Sequence, residues 1–562
     1  MRRGVLAAMT ALAIGAACSA IPGPRAAAGD TAVVALRDQP ETLFAPLATS
    51  TEALTVLGAM TEGLVAEDEN GDLEARLAER VPTIENGDAI LARGSDGQNA
   101  LTVRFRLREG ARWQDGSPIR ASDIRFGWML VSSREVKAAQ YGAASRIQDV
   151  RAPDDRTVEV VYRPGELDAR YALCCNAFVL PEAPLHGVPV ATLAESAFAR
   201  APIYAGPFAL KERQGNTSLT LERSPYYALG QARLRSIVFV FRSDPDGLLQ
   251  DLSAHRVDLA AGVYGIESAG ALSSIEPRGV RAYYTPTLAL EHLDFNLRDP
   301  TNLYKPHPIL AAREVRVALT LAIDREKLAR TATAGRAPLP LSYLPAPSWA
   351  ALTPADVTTY GFDPAAAERI LDAAGWLRAP DGIRVRQGTR LQLRLTVGSG
   401  SVQRDQAASQ IADALGKIGV AITVDNAVMT SMTSSRGQLA TGQFDLALYA
   451  WVGDRDPYGW SLLYYKAQIP VLANGFGGQN FPGWSDDRFS TLADEAASTL
   501  DIDTRRARYT EMQRIWTTAL PAVPLFQRIQ VDVADARLRE FRPQPARRPV
   551  TWNAARWSFG GV

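Results

Sequence analysis

This sequence has few cysteines, few histidines and no net charge, and each of these features argues against a class of function. Lysine plus arginine and aspartate plus glutamate both number 61, so no excess positive charge is available to attract a nucleic acid. The chain lacks the nucleophile elbow G-x-S-x-G, the zinc motif H-E-x-x-H and a Gly-Lys-Ser/Thr phosphate loop. Its histidines are widely separated, at His186, His255, His292 and His307. A Ser-His-Asp triad assembles in space and leaves no fixed spacing, but the missing motifs favour a protein that is not an enzyme and has no cofactor or metal.

Long apolar runs are confined to the N-terminus. Residues 5–17 are almost all apolar and follow Arg2 and Arg3. This run is too short to cross a bilayer as a stable helix, but a basic start and a short apolar segment are typical of secretory signal peptides. We therefore predict a signal peptide over residues 1–20, a short tether over 21–29, and a mature protein that is soluble in the periplasm.

Cys18 follows a stretch of small residues, Ile14-Gly15-Ala16-Ala17, that is similar to the lipobox of bacterial lipoproteins. Cleavage before Cys18 would leave a lipidated N-terminus, and this lipid would be the protein's one attachment to a membrane. Gly15 stands where the lipobox prefers leucine. Ordinary cleavage nearby, for instance after Ala20, is therefore the alternative.

The other two cysteines, Cys174 and Cys175, are neighbours in the chain. Adjacent cysteines can bond to each other only within a strained ring, and neither has another partner in the mature chain. We therefore predict two small buried apolar side chains rather than a redox or metal site, and the sequence leaves their oxidation state open.

Two separate β-α-β units are indicated by the pattern of apolar residues and turn signals. The first has strands over 236–242 and 257–260, with a helix after Asp244-Pro245. The second has a strand over 391–397, a helix over 404–418 that ends at Gly419, and a strand over 420–424. Two such units in one exported chain predict an α/β protein with two lobes.

Other segments have equally clear local signals. Residues 101–107 alternate apolar and polar side chains, as a half-buried strand does, and a helix is expected to begin near Ile124 with Ser122 or Asp123 as its N-cap. Residues 444–451 form an apolar run typical of a strand covered on both faces. Ligands of open α/β sheets bind beyond the carboxyl ends of such strands, which draws attention to Asp454.

Several sequence blocks resemble family 5 of the extracellular solute-binding proteins, which includes the oligopeptide- and dipeptide-binding proteins of ATP-binding-cassette importers. The most specific block is LTVRFRLREGARWQDGSPIRASDIRFGWM at residues 101–129. Further blocks follow in the family's order: TEGL at 61–64, YAGPF at 204–208, LERSPY at 221–226, EVRVAL at 314–319, AIDR at 322–325, DPAAA at 363–367, GW at 375–376 and PAVPLF at 521–526.

The resemblance implies the two-lobed periplasmic-binding-protein fold of class II type, with a hinge between the lobes and an extra subdomain in the first lobe. Carried onto this chain, the first lobe would comprise residues 30–284 together with 520–562, and the extra subdomain would cover 52–202. The second lobe would comprise residues 285–519. Ligand contact with both lobes at once would drive closure.

The resemblance also implies a function and a site. The protein would be a monomer that captures a peptide and delivers it to the permease subunits of an importer. In peptide-binding members a carboxylate in a W-x-x-D sequence holds the ligand's ammonium, and Trp451-Val452-Gly453-Asp454 matches that pattern. Asp454 would bind the ammonium, the main chain of Val452 would pair with the ligand's main chain, and Trp451 would form part of the pocket wall. The alternatives are a solvated loop carboxylate or an N-cap of the following segment at Asp454, and simple core packing at Trp451.

The opposite wall is expected at Thr49, Ser50 and Thr51, which match the family's early ligand-facing segment in spacing but not in residue type. A hydroxyl-bearing set there favours main-chain recognition, or a different ligand. Members of the same family also bind nickel or other metal chelates, haem, oligosaccharides or opines, and a ligand-loaded sensor is a further alternative.

Overall fold

The computed structural model describes residues 29–93, 97–264, 269–544 and 549–560. The predicted signal peptide, most of the tether and the lipidation site at Cys18 lie outside the described residues. Within the described part of the chain, no helix combines the length and the apolar character that crossing a membrane requires.

The strands in the first half of the chain are β1 (Thr31–Leu36), β2 (Val65–Glu67), β3 (Leu73–Ala75), β4 (Ala89–Arg93), β5 (Asn99–Arg106), β6 (Ile147–Arg151), β7 (Thr157–Tyr162), β8 (Phe208–Gln214), β9 (Ser218–Arg223), β10 (Ser236–Phe241) and β11 (Leu259–Tyr264). Those in the second half are β12 (Val280–Phe295), β13 (Arg298–Asp299), β14 (Asn302–Pro306), β15 (Leu377–Arg378), β16 (Arg384–Arg386), β17 (Thr389–Arg390), β18 (Gln392–Gly398), β19 (Ala421–Ala427), β20 (Leu446–Val452), β21 (Ala522–Asp535), β22 (Leu538–Arg539) and β23 (Ser558–Phe559).

The α-helices are α1 (Thr51–Met60), α2 (Ala121–Val131), α3 (Tyr141–Ala144), α4 (Ala197–Arg200), α5 (Pro245–Ser253), α6 (Ala269–Ile275), α7 (Arg313–Ala322), α8 (Arg325–Thr333), α9 (Pro364–Ala373), α10 (Val402–Lys417), α11 (Met429–Met432), α12 (Tyr458–Leu462), α13 (Asp487–Ala497) and α14 (Ile502–Ala519).

A ten-stranded sheet runs through the molecule in the order β19-β18-β20-β12-β21-β11-β1-β10-β9-β8. Its two central strands, β12 and β21, pair antiparallel from Val280–Asp535 to Asp294–Ala522, with an irregular step between Pro286 and Leu290. On one side of that step β21 pairs with β11, and on the other β12 pairs with β20. The two central strands therefore connect the two halves of the sheet.

Both β-α-β units predicted from the sequence are present. In the first, β10 and β11 lie parallel on either side of β1, with α5 between them in the chain. In the second, β18 and β19 pair directly in parallel and are connected by α10. The prediction of an α/β fold is confirmed, with strand ends shifted by up to four residues.

The buried apolar side chains also form separate clusters in the two halves of the molecule. The largest cluster joins residues between Ala32 and Ala261 with residues between Ala534 and Trp557. A second cluster joins residues between Leu293 and Leu448 with the start of β21. A separate four-stranded sheet, in the order β4-β5-β7-β6, belongs to the first of these cores. The molecule is thus two-lobed, with additional structure on the first lobe.

The predicted N-cap of α2 is wrong. The helix begins at Ala121, and Arg120 is the N-cap. Asp123 instead lies in the first turn, where its carboxylate accepts hydrogen bonds from the main-chain nitrogens of Arg120 at 2.8 Å and Glu182 at 2.9 Å. A carboxylate at this position reaches back to the N-cap, as in a capping box, so the helix starts before the acidic residue rather than at it.

The structure joins Cys174 and Cys175 in a disulfide, a state that the sequence left open. They lie at the junction of two short 3-10 turns, Tyr171–Leu173 and Asn176–Phe178. Cys175 is completely buried. The tight main-chain path between the two turns brings the neighbouring side chains together.

Candidate functional site

A cavity of about 1190 Å³ opens between the two lobes. It exceeds the usual ligand pocket of about 300–1,000 Å³. Four of the six site residues predicted from the sequence line it: Thr49, Thr51, Val452 and Asp454. A smaller cavity, of about 230 Å³, lies between Tyr227 and Trp552 and contains none of them.

Asp454 lies just beyond the carboxyl end of β20, where the loop path is fixed by its neighbours. The nitrogen of Gly453 donates to the carbonyl of Leu288 at 3.0 Å, and the carbonyl of Asp454 accepts from the indole nitrogen of Trp460 at 2.8 Å. A Cβ atom on Gly453 would lie 2.3 Å from the Trp460 ring, so glycine is needed for this close approach. The Asp454 carboxylate is left half-exposed and lines the cavity.

Arg170 faces Asp454 from the opposite wall. Its Nη1 lies 3.4 Å from Oδ2 of Asp454. Its main-chain nitrogen donates to Oδ1 of Asp168 at 2.9 Å, and its carbonyl accepts from the nitrogen of Leu173 at 2.8 Å, so the base of the side chain is held in place. Sequence reasoning missed this residue because no family motif includes it.

Asp456 has a different role from Asp454, although only one residue separates them. Both of its carboxylate oxygens pair with Arg505 at 2.9 Å, and Oδ1 also accepts from the main-chain nitrogen of Tyr458 at 3.0 Å. The Arg505 and Asp456 side chains are 4% and 10% exposed. Asp456 therefore fixes the loop, as its position before Pro457 suggests, and Asp454 remains available.

The Thr49–Thr51 segment is organised by Glu41. The main-chain nitrogens of Thr49 and Ser50 donate to Oε1 of Glu41 at 2.8 and 2.9 Å, and the Ser50 hydroxyl donates to the same carboxylate. Partial burial acts to raise the pKa of Glu41, but these hydrogen bonds outweigh it and hold that pKa below its ordinary value. The Ser50 hydroxyl also caps α1 by accepting from the nitrogen of Ala53. Ser50 therefore serves the protein's own structure, and only the two threonines line the cavity.

Trp451 does not line the cavity. Its ring stacks on Phe481 with centroids 5.7 Å apart and planes at 18°, and it meets Tyr449 edge-on at 5.5 Å. The structure places Trp451 in an aromatic cluster behind Val452, a residue that is 48% exposed and lines the cavity.

The part of the cavity near the central strands depends on Asp532, which is completely buried. Its carboxylate accepts from the main-chain nitrogen of Gly262 at 2.7 Å and from the side-chain amide of Gln530 at 3.0 Å. Both of these partners line the cavity. Burial raises the pKa of Asp532 to about 6, and the two hydrogen bonds oppose this rise.

The wall around Arg170 is attached to the first lobe by two contacts. The Asn176 side chain accepts from the nitrogens of Leu64 and Val65 and donates to the carbonyl of Val65. Gly127 of α2 packs directly on the main chain of Phe178, where a Cβ atom would lie 2.0 Å from the carbonyl oxygen. The disulfide directly precedes Asn176 in the chain, and Cys174 lines the cavity.

The described residues include no group of three or more histidine, cysteine, aspartate or glutamate side chains placed to hold a metal ion. The polar groups that line the cavity are suited to hydrogen bonding and ion pairing: carboxylates, guanidinium groups, hydroxyls and the side-chain amides of Gln140, Asn176 and Gln530.

Residues 73–469 match the family described as bacterial extracellular solute-binding proteins, family 5 Middle, which is more than half of the 562 residues. The chain belongs to this family. The resemblance found in the sequence blocks is thereby confirmed.

The relatives of this family 5 protein include the oligopeptide-binding protein AppA of Bacillus subtilis (strain 168). It is 23% identical over 470 residues, which cover 82% of this chain and 79% of AppA. Among solved structures, an oligopeptide-binding protein of Thermus thermophilus complexed with a pentapeptide has a TM-score of 0.69 at 21% identity, over 94% of this chain and 96% of that one. NikZ of Campylobacter jejuni in complex with Ni(L-His) also has a TM-score of 0.69, at 20% identity, over 94% and 99% of the two chains. At these identities the structural likeness shows the two-lobed fold.

Proposed function

We propose that this protein is the exported substrate-binding component of an ATP-driven importer and that its cargo is a peptide. The observation that carries the proposal is the position of Asp454: a half-exposed carboxylate at the end of β20 that lines a large cavity between two lobes. A peptide ammonium in that cavity would form a charge-assisted hydrogen bond with it. Relatives named as oligopeptide-binding proteins support the choice of a peptide.

In this proposal some of the remaining predicted residues contact the ligand and others support those that do. Thr49 and Thr51 contact the ligand from the first lobe, and Val452 contacts it from the second through its main chain. Ser50 and Trp451 support these neighbours from behind. The protein binds and releases its cargo without chemical change, so it is not an enzyme.

The sequence-derived lobe boundaries, 30–284 with 520–562 and 285–519, are part of the same proposal, as is the extra subdomain at 52–202. The boundary near residue 284 is supported by the passage of β12 and β21 between the two halves of the sheet, whereas the boundary at 520 falls before the start of β21, whose apolar side chains pack in the second core. The irregular step between Pro286 and Leu290 is the proposed hinge. The protein would work as a monomer that docks, when loaded, on the permease subunits of the importer.

Substitution of Asp454 tests the site. Asp454→Ala should weaken peptide binding about tenfold to a hundredfold, because a hydrogen bond to a charged group contributes about 1.5–3 kcal/mol. The melting temperature of the ligand-free protein should stay nearly unchanged, since the carboxylate is half-exposed. The exposed Asp487 of α13 offers a matched control, Asp487→Ala. An unaltered affinity of the Asp454 variant would remove this carboxylate from the site.

The class of cargo can be read from protein purified with its ligand. Native mass spectrometry should detect bound masses that fragment as peptides. A metal chelate, such as the one bound by NikZ, or a sugar would overturn the peptide proposal and leave the binding role intact.

We also propose export to the periplasm, with Cys18 as a lipid anchor. Cys18→Ser should then move the mature protein from the membrane fraction to the soluble fraction. If the variant and the parent fractionate alike, the leader is removed by ordinary cleavage.

A further inference from the structure

The ion pair between Arg170 and Asp454 is a contact that a ligand can replace. Nη1 of Arg170 lies 3.4 Å from Oδ2 of Asp454, and the two side chains are 39% and 52% exposed. A half-exposed pair contributes little to stability, because water competes for both charges.

The other three arginines on the described lining of the cavity have partners inside the protein. Arg505 is held by a bidentate ion pair. Arg146 donates from Nε to Glu166 at 3.1 Å, and Arg455 donates from Nη2 to the carbonyl of Glu69 at 3.1 Å. Arg170 is the fourth arginine on this described lining. Its acidic partner is Asp454, the carboxylate proposed to bind the ligand ammonium.

A ligand ammonium bound to Asp454 would therefore replace Arg170 as the partner of that carboxylate and leave the Arg170 guanidinium unpaired. An unpaired charge in a closing cavity is costly, because it loses water without gaining a partner. A ligand carboxylate would restore the pairing, and a guanidinium group matches a carboxylate with two parallel hydrogen bonds. The formal charges on the described lining also balance, since the four arginines are accompanied by Glu67, Asp168, Asp454 and Asp456. A dipolar ligand without net charge preserves that balance.

We propose that Arg170 is a specificity-determining residue that binds the ligand's carboxylate while Asp454 binds its ammonium. The inference rests on the proposed function and narrows it: the cavity selects short peptides with both ends free. Because the Arg170 and Asp454 side chains lie next to each other in space, the two charged ends of the ligand must also lie close together. A residue of extended chain spans about 3.3–3.6 Å, so dipeptides and tripeptides meet this requirement and longer extended peptides do not.

The test uses random tripeptide pools of three kinds: free at both ends, N-acetylated, and C-amidated. Binding to the full mature protein is measured by titration calorimetry and by the ligand-dependent rise in melting temperature. The variants are Arg170→Gln, Asp454→Asn and the double variant. Arg125→Gln is the control, because Arg125 is an exposed residue of α2 outside the cavity lining.

In the parent and in Arg125→Gln, C-amidation should weaken binding at least tenfold. In Arg170→Gln the free and amidated pools should bind equally within about twofold, whereas N-acetylation should still weaken binding. In Asp454→Asn the pattern should reverse, so that N-acetylation costs little.

Two results would overturn the inference while leaving peptide binding in place. One is an amidation penalty of the same size in Arg170→Gln as in the parent. The other is tighter binding of the free pool by Arg170→Gln, which would make Arg170 only a competitor for Asp454. If the parent binds none of the tripeptide pools, the inference fails, whereas the proposed function, which sets no peptide length, is then judged by the masses of the co-purified ligand.

Discussion

Asp456 and Arg505 are joined by two parallel hydrogen bonds, Oδ2 to Nη1 and Oδ1 to Nη2, each of 2.9 Å. The pair links the loop after β20 to α14, and both side chains are almost completely buried. Breaking a buried pair by removing one partner costs about 3–5 kcal/mol, because the other charge is left uncompensated.

We therefore expect Asp456→Ala to lower the unfolding free energy by about 3–5 kcal/mol. Asp454→Ala is the matched comparison, since its carboxylate is half-exposed and should cost little stability. Denaturant unfolding of the ligand-free proteins measures both. Equal stabilities of the two variants would contradict the division between a structural and a ligand-binding carboxylate.

Asp532 should make stability depend on pH. Its folded-state pKa of about 6 lies above the ordinary value of about 3.9 for an aspartate. The folded protein therefore holds the proton more tightly than the unfolded chain does, which adds stability below about pH 4 that is lost as the pH rises through about 6. The pKa difference corresponds to about 3 kcal/mol.

Asp532→Asn removes this titration. The unfolding free energy of the variant relative to the parent should rise by up to about 3 kcal/mol between pH 4 and pH 8. Asp503→Asn is the control, because that side chain is 86% exposed. A constant difference between the Asp532 variant and the parent across this range would show that Asp532 titrates in its ordinary range.

Gly127 should be intolerant of a side chain. A Cβ atom there would lie 2.0 Å from the carbonyl oxygen of Phe178, which is main chain and cannot rotate away. Gly127→Ala should therefore destabilise the protein by about 1–3 kcal/mol, as overpacking does. Gly416→Ala is the control: this exposed glycine of α10 has no atom within 4 Å of the added Cβ, so the change should be neutral or stabilising by about 0.5–1 kcal/mol.

Gly127 packs on Phe178, which lines the same cavity as Arg170. A side chain at Gly127 would displace this part of the cavity wall, so Gly127→Ala should also weaken ligand binding. Thermal unfolding and peptide titration of the two glycine variants measure these effects. Gly127→Ala with parental stability would show that α2 and the Asn176–Phe178 turn are not packed as described.

The disulfide between Cys174 and Cys175 can be detected by mass. In a Cys18→Ser background, the intact protein should be lighter than the reduced protein by two hydrogens. An alkylating reagent should label neither cysteine of the unfolded, unreduced chain, and both after reduction. Labelling before reduction would contradict the bond. Cys175→Ser supplies the positive control, because it leaves Cys174 as a thiol.

The elements that could be predicted from the sequence are those with strong local signals. The alternation at residues 101–107 appears as β5, and the helix predicted over 404–418 appears as α10, with the Ser401 hydroxyl accepting from the nitrogen of Arg404. The apolar run at 444–451 appears as β20, between two neighbouring strands. Such features depend on residues that are close together in the chain, so the sequence alone indicates them.

The site could be predicted only in part. Asp454 was identifiable because its motif is contiguous. Arg170 was not, since its significance arises from a pairing between residues that are far apart in the chain. The N-cap of α2 was misplaced because Asp123 satisfies the helix start from within the first turn. The disulfide was left open because adjacent cysteines meet only along the main-chain path that the two flanking turns create.

The sharing of β12 and β21 between the lobes has a consequence for dissecting the protein. A fragment that ended before Ala522 would lack β21, and the edges of both β11 and β12 would lose their main-chain partners. The apolar side chains that β21 adds to both cores would be lost as well. Neither lobe is therefore a separable folding unit, and the last forty or so residues complete a sheet that began at Thr31.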